Sequence, residues 1–467
     1  MSSTTHNGHA DQPAIGLADA DRLLIDGKPH AALAAYQLLA KDRDDPLLWQ
    51  RQGAALLMLR RPMEAFELLS RAVERAPQLH NARHHLAVAL TLLRRHVEAT
   101  ALFDALLSEL AAENDAVLRH HASRAFRDLG DLDKARALCR EAVGLAPANP
   151  KFRFSCGIIA LMQGDWAAGW EDYACRWRGW DREAVERPPE TSLPQWQGEA
   201  VSHKAGLVVH AEQGFGDCLQ FCRYVLGTID IFPKVRFVVP GALRNLITRS
   251  MAPGIEVCDK SQHGAASDDA FTHHAMLMDL PRLLNRPTPE QAPGGGTPYL
   301  KADSGLVSEW NRKLPGLAPR IGFVWAGGHQ TAVTGRDMPL DSLKPLLILP
   351  NLHFISLQRD LRLTGGTVLD PLVNARSFDD TAAIIANLDL VISVDTAVAH
   401  LAAGLGRPVW LLNRYESEWR WGRGRQRTGW YQCMRIFTQP RPGDWDAVVD
   451  AVVEAMKASM GSPERFR

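Results

Sequence analysis

The sequence predicts an α plus α/β fold: an amino-terminal all-α solenoid of paired helices, followed by two Rossmann-like α/β lobes. Three observations lead to this expectation. Small and apolar residues recur with the period of a helical hairpin from about residue 14 to 177. After residue 203 the pattern changes to short apolar runs that end in glycine-containing turns, which is typical of βα units and a parallel sheet. A Pro/Gly-rich stretch at 286–298 separates two groups of such runs and indicates two lobes.

The amino-terminal repeats have a period close to 34 residues. Small residues at the expected start of each second helix follow one another at spacings of 33, 34, 36 and 34; they are Ala32, Ala65, Ala99, Ala135 and Gly169. This is the period of the tetratricopeptide repeat (TPR), whose stacked helix pairs form a concave surface that binds segments of other proteins. We therefore expect about five repeats over 14–177, with either a protein partner or no ligand on their surface.

Composition and charge exclude several classes of protein. Lys plus Arg and Asp plus Glu each count 53, so there is no overall basic field for nucleic acid or an anionic membrane. No run of about 18 apolar residues predicts a membrane span, and the seven cysteines lack CxxC pairs. We expect a cytoplasmic protein with no nucleic-acid partner, no membrane span and no cofactor, and a disordered tail over residues 1–13.

Residues 178–202 are expected to form a linker or interface between the solenoid and the first lobe. The last repeat is rich in tryptophan and is followed by the proline-containing stretch RPPETSLPQW. Large aromatic side chains at such a junction bury more area than other residues. We therefore expect the tryptophans from Trp166 to Trp196 to pack in an interface rather than to bind a ligand.

The two lobes are expected to span 203–303 and 304–467. Six apolar runs predict strands at 206–210, 235–240, 320–326, 353–357, 390–394 and 408–412. Because ligands of such sheets bind at the carboxyl ends of the strands, the residues that follow these runs are the candidates for a site.

The first candidate site follows the run at 206–210, in the sequence HAEQGFGDCLQFCRYV. Gly214 and Gly216 predict a turn that lets a ligand approach the backbone, and Asp217 opens a predicted helix. In this position Asp217 is either the N-cap of that helix or a carboxylate that faces the cleft.

The second candidate site follows the run at 390–394, in the sequence DLVISVDTAVAH. The hydroxyl of Thr396 and the N–H groups of Ala397 and Val398 are suited to holding a diphosphate, because they lie at a helix start after a strand. His400 lies one turn into this helix, and its spacing fits either a ligand contact or a buried structural histidine.

Two further segments are candidates for donor contacts. In WAGGHQTAVTGRDMPL, His329 and Arg336 follow the run at 320–326, and a guanidinium pairs well with phosphate; a solvated loop arginine is the alternative. The basic and aromatic segment 415–437 fits either a stacking surface for a nucleobase or an interface patch.

These segments resemble a known family when they are taken together and in order. The resemblance rests on AEQGFGD, WAGGHQ with RDMPL, SLQ at 356–358, DDTAAIIANLDLVISVDTAVAHLAAGLGRPVWLL and WRWGRGRQRTGWYQCMRIF. The chain is similar over roughly 150–457 to bacterial TPR-containing glycosyltransferases, whose catalytic region resembles the heptosyltransferase (glycosyltransferase family 9-like) branch of the two-lobed GT-B fold.

The resemblance implies a role for each matched residue. Asp217 is implied as the general base for the acceptor hydroxyl, and Asp395, Thr396 and His400 as the diphosphate site. Ala397 replaces the usual glycine and keeps a small side chain and the same N–H. The family's lysine between the lobes has no match, and Arg336 is its expected substitute. Other possible substrate contacts are Gln213, Gly214, Gly216, His329 and Gln358.

The implied reaction is metal-independent transfer of a sugar from a nucleotide-sugar, bound on the 304–467 side, to an acceptor on the 203–303 side. The TPR region favours a protein acceptor, such as a flagellin or another surface protein. One alternative is a saccharide or lipopolysaccharide-type glycosyltransferase whose repeats dock it to an assembly complex. Another is a non-catalytic scaffold whose lobes bind nucleotide-sugar, or nothing, without turnover.

Overall fold

The computed structural model describes residues 16–41, 43–110, 113–179, 189–262, 270–294, 298–316, 319–327, 335–359, 368–460 and 466. The tail predicted for residues 1–13 lies outside these ranges. The chain divides into two compact units, Met1–Phe152 and Arg153–Arg467. The domain limits expected at 177, 202 and 303 stay predictions.

The first unit is built from antiparallel helix pairs. Its helices are α1 (Leu17–Ile25), α2 (Pro29–Ala40), α3 (Pro46–Met58), α4 (Pro62–Arg75), α5 (His80–Leu92), α6 (His96–Glu109), α7 (Ala116–Leu129) and α8 (Leu132–Leu145). Consecutive helices pack against each other, and α5 also contacts both α3 and α7. This is the stacking expected of a helical-repeat solenoid.

A residue in the left-handed conformation ends the first helix of each pair. In the first unit these residues are Gly27, Arg60, Arg94 and Gly130, with φ of 73°, 59°, 63° and 102°. Gly164, with φ of 84°, occupies the same position after α9 (Pro150–Gln163). The spacings of 33, 34, 36 and 34 between these positions equal those of the small residues in the sequence. The predicted helical repeat is therefore confirmed.

The second unit contains two β-sheets with helices around them. Its strands are β1 (Gly206–His210), β2 (Lys234–Val239), β3 (Ile255–Asp259), β4 (His273–Met276), β5 (Arg320–Val324), β6 (His353–Ser356), β7 (Leu390–Val394), β8 (Val409–Asn413), β9 (Arg427–Thr428) and β10 (Tyr431–Thr438). Besides most of α9, its helices are α10 (Trp166–Tyr173), α11 (Arg176–Gly179), α12 (Phe215–Phe221), α13 (Arg244–Ser250), α14 (Leu280–Leu283), α15 (Ser304–Lys313), α16 (Lys344–Leu347), α17 (Phe378–Ala386), α18 (Ala397–Gly404) and α19 (Trp445–Ser459).

Both sheets have the parallel, doubly wound character that the sequence predicts. The first has the strand order β3-β2-β1-β4 and the second the order β6-β5-β7-β8-β10-β9. All described pairings are parallel except that of β9 with β10. Strands β1 and β7 are buried along their whole length, as expected for central strands covered on both faces.

Helix α12 follows β1, helix α18 follows β7, and the two helices pack against each other. The two loops that carry the candidate site residues begin at the carboxyl ends of these same strands. The packing of α12 on α18 therefore brings the first and second candidate sites together. Ligands of parallel sheets bind at that edge.

Tryptophans of the predicted junction pack inside the second unit. Trp166 lies edge-on to Trp419 and Trp430, Trp170 contacts Phe221, and the buried Trp196 contacts Phe232. The expected packing role is confirmed for these three, whereas Trp180 lies outside the described residues.

Candidate active site

The loop after β1 is held in an unusual backbone conformation. Gln213 has φ of 61°, a left-handed backbone conformation that residues other than glycine rarely adopt. Its amide nitrogen donates a hydrogen bond of 2.8 Å to the hydroxyl of Tyr173, at the end of α10. Gln213 thus fixes the loop that carries Gly214, Gly216 and Asp217 rather than facing freely into the cleft.

A buried ion triad holds the same loop from the other side. Arg176 makes two hydrogen bonds to the carboxylate of Glu212, at 2.6 and 2.7 Å, and one of 2.7 Å to Asp279. Burial by itself lowers the pKa of Arg176, but the carboxylates of Asp279 and Glu212 outweigh that effect and raise it. Removing one member of such a triad leaves an unpaired buried charge and costs about 3–5 kcal/mol.

Asp217 lies at the third position of α12, not at its N-cap, which is Gly214. One carboxylate oxygen accepts a hydrogen bond of 3.0 Å from the N–H of Gly214. The other oxygen accepts one from the guanidinium of Arg420. The side chain keeps 19% of its exposure, so Asp217 combines a capping contact with partial access to solvent.

The loop after β7 leaves backbone N–H groups available. Helix α18 starts at Ala397 after Thr396, and the hydroxyl of Thr396 pairs with that of Ser393 at 3.0 Å instead of capping the helix. Within the described part of the chain, the N–H groups of Ala397 and Val398 therefore have no hydrogen-bond partner. Such groups at a helix start bind anions.

His400 is buried between the two candidate sites. Its Nδ1 lies 2.9 Å from the hydroxyl of Tyr431, and its Nε2 lies 3.9 Å from a carboxylate oxygen of Asp395. Burial lowers the pKa of His400 to about 3. The imidazole is therefore neutral near pH 7 and carries no positive charge there.

Gly216, on α12, lies close against α18. A Cβ atom built on Gly216 would lie 2.9 Å from Cδ2 of His400 and 3.7 Å from Cα of Ala397. The first distance is shorter than carbon atoms tolerate. The absence of a side chain at Gly216 is thus what lets the loop after β1 rest on α18.

Arg336 and Gln358 lie beside the carboxyl end of β5, the strand next to β7. The guanidinium of Arg336 packs against Gly327. The side-chain oxygen of Gln358 accepts hydrogen bonds from the N–H groups of Trp325 and Ala326, at 3.3 and 3.1 Å. Gln358 thus supports the loop after β5, while His329 lies outside the described residues.

The basic and aromatic segment 415–437 supplies residues that the sequence did not single out. Trp419, Trp421 and Trp430 are buried, so they form interface rather than an open stacking surface. Arg420 contacts Asp217, and Tyr431 contacts His400. The only signal in the sequence was the density of Arg and Trp between 418 and 430, which does not indicate a partner 203 positions away.

Part of the second unit is similar to a known family. Residues 371–432 match the family model for glycosyltransferase family 9 (heptosyltransferase). This family 9 segment contains Asp395, Thr396, Ala397 and His400, and also Arg420, whereas Asp217 and Arg336 lie before it.

The chain is also similar to named proteins along more of its length. It is 27% identical over 441 residues to Protein FlbA of Caulobacter vibrioides, covering 87% of this chain and 72% of FlbA. Among solved structures, MamA 41-end from Desulfovibrio magneticus RS-1 is 22% identical, with a TM-score of 0.29, over 33% of this chain and 87% of that one. TTC0263, a thermophilic TPR protein in Thermus thermophilus, is 22% identical, with a TM-score of 0.31, over 34% and 86%.

Two further properties concern metals and membranes. The described residues contain no group of three or more His, Cys, Asp or Glu placed to hold a metal ion, and metal-independent transfer stays a prediction. No helix in the described ranges combines the length and the apolar character that crossing a bilayer requires.

Proposed function

We propose that this chain transfers a sugar from a nucleotide-sugar to an acceptor hydroxyl. The observation that carries the proposal is the meeting of Asp217 with the family 9 segment: Gly216 rests on His400, and Asp217 is bonded to Arg420. A carboxylate and a neutral histidine beside free helix N–H groups suit a reaction that removes a proton and releases a diphosphate.

In the proposed reaction the acceptor oxygen bonds to the anomeric carbon of the sugar and its proton passes to Asp217. The bond between that carbon and the diphosphate oxygen breaks, and the electron pair leaves with the nucleoside diphosphate. The N–H groups of Ala397 and Val398 stabilise the charge that develops there. His400 and Arg336 add hydrogen bonds from the donor-side lobe.

The acceptor that we propose is a protein, bound by the helical repeats of the first unit. The stacked pairs in the described part of Met1–Phe152 support this, because arrays of this kind bind extended segments of other proteins. A flagellin or another surface protein made in the cytoplasm is the proposed acceptor class, and the cytoplasm is the proposed compartment.

The test of donor binding is calorimetry with UDP, GDP, ADP, CMP and TDP. We expect one of them to bind the wild type and to lose about tenfold or more in affinity with Asp395→Ala. The matched control is Asp341→Ala, which removes an aspartate of the same lobe whose side chain is 84% exposed. If no nucleotide binds the folded wild-type protein, the non-catalytic scaffold becomes the better explanation.

The test of catalysis is transfer from the matching nucleotide-sugar to candidate acceptor proteins. Asp217→Asn should lower the rate by about 10²–10⁴, the usual contribution of a general base, while nucleotide binding persists. Full transfer by this variant would reject Asp217 as the base.

A further inference from the structure

Arg420 occupies a central position between the two lobes of the second unit. Its Nε donates a hydrogen bond of 2.6 Å to the side-chain oxygen of Gln220 on α12. Its Nη1 donates one of 2.7 Å to Glu418, and its Nη2 donates one to Asp217. Only 8% of the side chain is exposed, so one buried cation joins residues from both lobes.

The guanidinium has five N–H donors, and these hydrogen bonds use three of them. Arg420 also lies within electrostatic reach of the donor side. Burial lowers the pKa of His400, Asp395 opposes that change, and Arg420 adds to it. Asp395 is also among the groups that raise the pKa of Arg420. Arg420 therefore contacts the proposed base directly, and Gly216, the neighbour of that base, lies against His400 of the proposed diphosphate site.

Two buried donors near Arg420 lack an acceptor. Nε2 of Gln220, on the amide whose oxygen binds Arg420, has no hydrogen-bond partner among the described residues. The same is true of Nε1 of Trp421, whose ring centroid lies 5.4 Å from that of His400. Buried donors without partners are costly, and their presence here indicates a ligand rich in acceptor oxygens.

The charges around Arg420 favour an exchange of partners. Asp217 and Glu418 both pair with this cation, and Asp395 is among the groups that raise its pKa. Burial raises the pKa of Glu418, while Arg420 opposes that rise. A diphosphate offers a guanidinium more negative charge and a bidentate geometry than one carboxylate oxygen does. An entering diphosphate thus competes with Asp217 for Arg420.

We propose that Arg420 binds the diphosphate of the donor and releases Asp217 when it does so. The inference rests on the proposed function, because it requires a nucleoside diphosphate at this site. It makes Arg420, rather than Arg336 alone, the cation that receives the leaving group. It also makes the carboxylate oxygen of Asp217 available for the acceptor's proton only after the donor is bound.

The experiment compares the affinities of a nucleoside diphosphate and the matching monophosphate, measured by calorimetry for UDP/UMP, GDP/GMP and ADP/AMP. Arg420→Gln should weaken diphosphate binding by about 10- to 100-fold and change monophosphate binding by less than about threefold. Arg420→Lys should recover part of the preference. The matched control is Arg425→Gln, an exposed arginine of the same loop, which should behave as wild type.

The exchange itself predicts the sign of a second change. Asp217→Asn should tighten diphosphate binding by about threefold or more, because a competing carboxylate is removed, and this gain should vanish in the Arg420→Gln background. Weaker diphosphate binding by Asp217→Asn would overturn the inference. So would an equal loss of affinity for the diphosphate and the monophosphate in Arg420→Gln. Either result would mean that the ion pair of Arg420 and Asp217 is only structural. If the wild type binds no diphosphate, the proposed function itself fails, and the inference fails with it.

Discussion

At the scale of single residues, the absence of a side chain at Gly216 allows α12 to lie close against α18. Gly216→Ala would place a methyl group 2.9 Å from His400, whose ring is buried and bonded to Tyr431. We expect a loss of about 1–3 kcal/mol of unfolding free energy in the second unit, as for other overpacked sites. Urea unfolding measures this loss.

Gly316→Ala is the control for that change, because a Cβ at Gly316 meets no atom of the described residues within 4 Å. It should leave the unfolding free energy within about 0.5 kcal/mol of wild type. Equal stability of the two variants would mean that the contact between Gly216 and His400 does not restrict the site.

Arg60 carries backbone strain that its neighbour Arg61 does not. Arg60 is exposed and has φ of 59°, where a side chain costs about 1–2 kcal/mol relative to glycine. Arg60→Gly should therefore stabilise the protein by about 0.5–1 kcal/mol after the entropy of the glycine in the unfolded chain is subtracted. Chemical denaturation provides the measurement.

Arg61→Gly should have the opposite sign. Arg61 has φ of −110° and makes two hydrogen bonds to Glu64, at 2.6 and 2.5 Å, so glycine removes contacts and relieves no strain. Destabilisation by both variants would show that the left-handed turn at Arg60 contributes no strain.

At the scale of elements, four histidines link the first helices of neighbouring pairs in the first unit. His84 and His85 lie on α5, and His120 and His121 on α7. His84 bonds to His121 at 2.9 Å, and His85 bonds to Gln50 of α3 at 2.8 Å. Burial lowers the pKa of all four, to about 4 for His85 and about 3 for His120.

These shifts predict an acid-sensitive solenoid. The pKa values of the folded chain lie below the unfolded value of about 6.5. Between pH 6.5 and about 4 the unfolded chain therefore binds more protons than the folded chain, and the unfolding free energy falls as the pH is lowered. The loss at pH 5 should be on the order of 2 kcal/mol for each strongly shifted histidine. Hydrogen exchange in α5 and α7 at pH 7 and 5, corrected for intrinsic rates, measures it.

His120→Gln should reduce this dependence on pH, whereas His80→Gln should not. The side chain of His80 is 46% exposed, and His80 is not one of the four buried histidines. If His120→Gln leaves the pH dependence of stability unchanged, the buried histidines are not the cause of that dependence.

A strand is easier to predict from the sequence when both of its faces are buried. Strands such as β1 and β7 form continuous apolar runs because both faces are covered. Strands β3 and β4 are partly exposed and include Glu256 and His273, so they gave no apolar run and were missed. The same limit applies to the site: local motifs indicate Asp217 and His400, but only the folded chain brings Arg420 to Asp217.

At the scale of the whole molecule, the chain combines a helical-repeat unit with a unit of two sheets. In the repeats, each helix contacts mainly its neighbours. The stability of each repeat therefore depends mainly on the adjacent repeats. In the second unit, a large core joins the first sheet to the helices around α18. Units that differ in this way are expected to unfold in separate transitions.

This division predicts where a bound nucleotide acts. A nucleoside diphosphate at about 100 times its Kd should add about 2.7 kcal/mol to the unit that binds it, and the residues proposed to bind it all belong to Arg153–Arg467. Hydrogen exchange should therefore slow in α12 and α18 and stay unchanged in α3 to α8. An acceptor protein should protect the repeats instead. Protection of α3 to α8 by nucleotide alone would contradict separate sites, because a ligand stabilises only the structure whose unfolding abolishes its binding.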